Sequence, residues 1–90
     1  MAMLGMDVDQ VTGTANQVNS LSGQLQALIG QLNGQINGLS SVWQGTDATT
    51  FVGQIWPSHK SNLEKCKAAL DELVSDLKRE IEQQRQTSAT

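Results

Sequence analysis

The sequence has 90 residues, a formal charge of −3 and a pI near 4.8. That length holds one domain whose burial leaves little stability in reserve unless a partner, metal or disulfide adds to it. One cysteine, Cys66, and one histidine, His59, exclude an internal disulfide and a zinc cluster within one chain, and the acidic balance, with few aromatics and none interleaved with Lys or Arg, excludes a phosphate-backbone surface.

Neither metal, cofactor nor nucleic acid is therefore expected. The longest unbroken apolar run is Met1 to Leu4 and no Lys or Arg precedes Lys60, so neither a membrane span nor a positively charged signal-peptide start is expected.

The first predicted element is a helix over about residues 7–43. Leu4, Val11, Val18, Leu25, Leu32 and Leu39 recur every seven positions, a helical stripe through a stretch that carries no charge between Gln10 and Gln44. Val8, Ala15, Leu21, Leu28, Ile29, Ile36, Val42 and Trp43 widen the stripe to roughly three positions in seven, a face suited to a bundle. Gly5, Gly13, Gly23, Gly30, Gly34 and Gly38 fall off the stripe. Each interior glycine costs about 1 kcal/mol relative to alanine, so this helix is expected to form only when packed.

A turn is predicted at residues 44–46. Gly45 is expected to close the first helix in a left-handed conformation, with Thr46 or Asp47 capping the second. So short a connection makes the two helices antiparallel neighbours, and Trp43 is expected to fold over Phe51.

The second predicted helix covers about residues 47–84. Its stripe includes Ala48, Val52, Ile55, Trp56, His59, Leu63, Cys66, Leu70, Leu73, Val74, Leu77 and Ile81. Pro57 removes a backbone bond and clashes with the carbonyl of Gly53, so a kink is expected near Gly53 to Trp56, with a separate short helix before Pro57 as the alternative. Lys67 with Asp71 and Lys78 with Glu82 have the spacing of one-turn ion pairs. Residues 85–90 read as a disordered polar tail.

No catalytic constellation emerges. His59 and Cys66 are seven residues apart on one helical face, about 10 Å along the axis, too far for a thiolate pair. Cys66 reads as a small core residue and His59 as a partly buried residue near the kink. The acidic residues from Asp71 to Glu82 lie among Lys and Arg on a solvated face, and the glycines are not gathered into a phosphate loop. The protein is not expected to be an enzyme. Membrane insertion of the neutral first helix is disfavoured because that helix lacks the Lys and Arg that draw such helices to anionic lipid.

Trp43-x-Gly45-x-Asp47-Ala48-x-x-Phe51 at the centre of the chain, followed by Trp56 and His59, resembles the WXG family of small type VII secretion substrates. The resemblance covers nearly the whole chain. It implies an all-α antiparallel two-helix hairpin with a W-x-G turn, dimerising with itself or with a sister protein into a four-helix bundle. It further implies export, without a cleavable signal peptide, by a membrane ATPase machine of Gram-positive bacteria.

Family members that carry their own export signal place a Tyr-x-x-x-Asp or Tyr-x-x-x-Glu after the second helix, and this sequence contains no tyrosine. The resemblance thus implies that this chain contributes the turn motif, Trp43, Gly45, Asp47 and Phe51, while a partner's tail engages the secretion ATPase. The dimer and core stripe expected to serve that pairing is Val11, Val18, Leu25, Leu28, Leu32, Leu39, Trp56, Leu63, Cys66, Leu70 and Leu77. The alternative function is a cytosolic adaptor that delivers a larger secreted toxin.

Overall fold

The first helix, α1, runs Val8–Gly38 in the computed structural model, which describes residues 5–89 and side chains as far as residue 87. Leu4 of the predicted stripe lies outside the described residues. Asp7 caps α1, its side chain accepting a hydrogen bond from the Gln10 amide, and Asp9 adds a carboxylate in the first turn, where the helix dipole favours it.

The helix tightens into a 3-10 turn at Leu39–Ser41 and ends there. Two side-chain hydroxyls and two amides explain the stop. The Ser40 and Ser41 hydroxyls donate to the carbonyls of Asn37 and Gly38, and the amides of Val42 and Trp43 both turn back to the Leu39 carbonyl.

The return arm comprises α2 at Thr46–Thr50, a π-helical turn at Phe51–Ile55, and the second long helix, α3, at Trp56–Ala89. The π-turn is the structure's answer to Pro57. Widening the helix by one residue, with the Trp56 amide bonded to the Phe51 carbonyl, accommodates a residue that has no amide hydrogen to give. The expected irregularity near Gly53 to Trp56 therefore takes the form of a π-turn.

The tail differs from expectation. α3 continues to Ala89, with the Thr87 hydroxyl donating to the Gln83 carbonyl, because no glycine or proline intervenes to stop it.

α1 and α3 lie antiparallel along a rod 67 Å long and 16 Å across. The axial register is fixed by two side-chain bonds. Ser22 donates to Asp71 at 2.5 Å, and the Trp56 indole N–H donates to the Asn33 side-chain oxygen at 3.0 Å. The buried residues form one seam along the two helices: Ala15, Ser22 and Ile29 of α1 face Trp56, Val74 and Ile81 of α3.

Small residues at 15 and 22 let the helices approach closely, while Ile29 and Trp56 fill the space toward the turn. Val11, Val18, Leu25, Leu32 and Leu39, the predicted stripe, are half-buried beside this seam, as are Leu63, Leu70 and Leu77 across from them.

The off-stripe glycines have room around them. A Cβ built at Gly23, Gly30 or Gly34 meets nothing within 4 Å. Gly30→Ala is therefore expected to stabilise the hairpin by about 0.5–1 kcal/mol, read as an increased urea midpoint. A loss of stability would mean that another molecule occupies that space.

Candidate interaction face and turn

One flank of the seam is polar. Asp71 accepts from Ser22 and also from the Lys67 ammonium at 2.6 Å, and Ser22 is the buried polar residue at the middle of the rod. The Lys67 hydrogen bond and then the Ser22 hydroxyl hold the Asp71 carboxyl below its ordinary value of 3.8, against the opposing effect of partial burial.

A carboxylate whose folded pKa is depressed stabilises the fold above its unfolded pKa, and that stabilisation is lost as pH falls through the folded value. Wild type is expected to exceed Asp71→Asn in urea midpoint at neutral pH, with the difference closing on acidification below pH 3.8. A difference independent of pH would rule out the ionised carboxylate as its source.

The second described ion pair joins Asp76 and Arg79 at 3.1 Å; the expected Lys78–Glu82 pair is not formed. Both pairs are substantially exposed to solvent, where such contacts contribute little.

The other flank is apolar. Leu21 is 54% exposed and Leu28 48% exposed on α1, and Leu73 is 44% exposed on α3. Cys66 is exposed, which corrects its expected place in the core, and so is His59, which corrects its expected partial burial near the kink. Both were drawn onto the buried stripe by a spacing that also fits its outer border.

Helical geometry shows how these residues combine. At about 100° per residue, Leu25, Leu21 and Leu28 lie roughly 60°, 100° and 120° round α1 from Ser22, all in one rotational sense. On α3, Leu77, Cys66 and Leu73 lie roughly 60°, 80° and 100° round from Val74 in the same sense. In an antiparallel pair that shared sense brings both sets to the same side of the hairpin, so they form one continuous face.

At the closed end, Trp43 packs on Phe51 with ring centroids 5.6 Å apart and planes tilted by 49°. Gly45 holds φ 114° and ψ 179°, a region essentially reserved for glycine but not the left-handed helical closure expected. It sits at the N-cap of α2, where neither Thr46 nor Asp47 makes the expected side-chain cap; α2 starts at Thr46, with Asp47 in its first turn. The Gly45 carbonyl instead accepts from both the amide and the hydroxyl of Thr49.

Ser40, Trp43, Gln44, Gly45, Ala48, Thr49, Val52 and Gly53 line an open groove of about 390 Å³ at this end. Among the described residues no group of three His, Cys, Asp or Glu side chains converges as a metal site would require, and no helix is long and apolar enough to cross a membrane.

Trp43, Gly45 and the hairpin they close coincide with a family model, WXG100, described as proteins of 100 residues with WXG, which matches residues 3–87. The chain belongs to the WXG100 family. WXG100 proteins are small, helical and associated with type VII secretion, leaving the cell without a signal peptide, and they typically form dimers with partners. No curated protein and no solved structure matches the chain.

Sequence reasoning missed Ser22, Asp71 and Asn33 as the residues that fix the axial register. Ser22 lies at the heptad position shared by Val8, Ala15, Ile29 and Ile36, which was the available signal.

Proposed function

We propose that this WXG100 protein is a type VII secretion substrate or subunit, a non-enzymatic interaction protein that leaves the cell paired with a second hairpin, a copy of itself or a sister protein. The continuous apolar face carries this reading. A compact chain of 9.7 kDa exposes about 5,100 Å², whereas this rod exposes 6547 Å². The surplus exceeds the roughly 800 Å² that each side of an ordinary interface buries. Covering the face with a second hairpin yields a four-helix bundle and adds the core that a glycine-rich α1 lacks.

The groove beside Trp43 and Gly45 is where the turn motif would be displayed in such a bundle. Since the sequence has no tyrosine, engagement of the secretion ATPase falls to the partner's tail. Fractionation tests this: the protein is expected in culture supernatant when a tyrosine-bearing partner is co-expressed and to stay in the cells without it. Retention in the cells under both conditions overturns export.

The missing tyrosine also favours a second reading, a cytosolic adaptor that binds a helical segment of a larger toxin. Under that reading the toxin reaches the supernatant while this chain does not.

A further inference from the structure

We infer that Pro57 is a positioning residue for the turn: by imposing the π-turn it sets the rotational phase of α2, and that phase builds the groove beside Trp43 and Gly45. The groove's part in export rests on the reading above; the phase does not.

The phase is visible in which residues are buried. At about 100° per residue, an uninterrupted α-helix extended back from Trp56 would put Thr49 within roughly 20° of the direction in which Trp56 faces the seam, Ala48 roughly 80° from it and Phe51 roughly 140° from it. The structure has the opposite arrangement. Ala48 is 5% exposed, and Thr49 is turned out to solvent.

The π-turn accounts for the difference. Its extra residue, closed by the Trp56 amide on the Phe51 carbonyl, shifts everything before it by one residue's rotation. Ala48 then falls roughly 20° from the seam direction and Phe51 roughly 40°. Phe51 can therefore reach Trp43, with 5.6 Å between ring centroids.

The groove follows from the same rotation. Ala48, Thr49, Val52 and Gly53 form its wall on the return arm, across about 390 Å³ from Trp43 and Gly45. In an uninterrupted helix Thr49 would turn toward α1 and Phe51 away from Trp43, and this wall would not exist.

Pro57 decides between the two forms. A π-turn is a rare geometry that needs a cause. In the α form residue 57 would give its amide to the Gly53 carbonyl; proline has no such amide, and its ring meets that carbonyl. The π form avoids both, because its closing bond comes from Trp56. Pro57 is itself exposed, so alanine in its place empties no space in the core. Trp56, bonded to Asn33, holds the α3 side of the turn, which leaves the change of phase to α2 and Phe51.

Nuclear magnetic resonance of the full chain tests the proposal with two variants, Pro57→Ala and Pro57→Ala combined with deletion of Gly53. Removing one residue lets an α-helix reach the phase that the π-turn provides. The through-space contact between the Trp43 and Phe51 rings is expected in wild type, lost in Pro57→Ala and restored by the deletion. The Trp56 indole N–H signal and the helix content should be retained in all three.

A ring contact that survives Pro57→Ala overturns the role of proline. Failure of the deletion to restore it overturns phase as the cause, and loss of the Trp56 signal together with the contact overturns the proposal in favour of general loosening.

Export with a tyrosine-bearing partner is the readout that a merely structural role would not move. Wild type and the double variant are expected in the supernatant, with Pro57→Ala lost from it. Wild-type export of a Pro57→Ala chain that has lost the ring contact overturns the groove's part. Retention of wild type itself sinks the export reading, while the ring contacts still decide the phase.

Discussion

Ile29→Ala is expected to cost the hairpin about 2–5 kcal/mol, the range for truncating a large aliphatic side chain in a packed interior. Ile29 is 2% exposed and sits where the seam widens from Ala15 and Ser22 toward Trp56. The helices there are held apart by Trp56, whose indole N–H is committed to Asn33, so they cannot easily close over the space left behind. A small domain has only about 5–15 kcal/mol of stability in all, so this loss is a large part of the total.

Urea denaturation followed by circular dichroism should show a much lower midpoint for Ile29→Ala. Val42→Ala, at a site 80% exposed, should scarcely move it. Equal effects from the two substitutions would mean that the seam between α1 and α3 is misplaced.

Gly45→Val is the second large effect. At φ 114° and ψ 179° a side-chain-bearing residue is strained by about 1–3 kcal/mol, and a β-branched one is the least able to relax. A Cβ at this position meets nothing within 4 Å, so the penalty comes from the backbone and not from a clash. Gly45→Ala is accordingly expected to cause most of the same loss. The Gly45 carbonyl holds Thr49 by two hydrogen bonds, so distortion passes directly into the start of the return arm. A melting midpoint unchanged in both variants would show that the turn does not use this conformation.

The hairpin, its antiparallel arms and the position of the bend were legible because period and punctuation agree: an unbroken seven-residue repeat, then Trp43-x-Gly45, then a second repeat. Which side of each arm faces the other was less so. Two neighbouring seams run along α1, one through Ala15, Ser22 and Ile29 and one through Val18, Leu25 and Leu32, and periodicity alone gives weight to the larger side chains. The structure buries the smaller set because close approach of α3 requires it, and leaves the leucines at the border of the outer face.

Cys66 was misplaced for the same reason, since its spacing from Leu63 and Leu70 fits either side. Spacing also could not foresee the π-turn, because Pro57 can be accommodated by a kink, a break or a widened helix, and the outcome depends on how the wider turn packs. The register bonds of Ser22 and Asn33 join residues far apart in sequence, which no local pattern encodes.

Melting the purified chain over a range of concentrations, alone and with an equimolar sister hairpin, tests most directly whether the outer leucines are covered in solution. Association with a folded copy or partner stabilises by mass action, so the midpoint should climb with concentration or on adding the partner. A sharp, single-hairpin transition at a midpoint that neither concentration nor partner alters would contradict it.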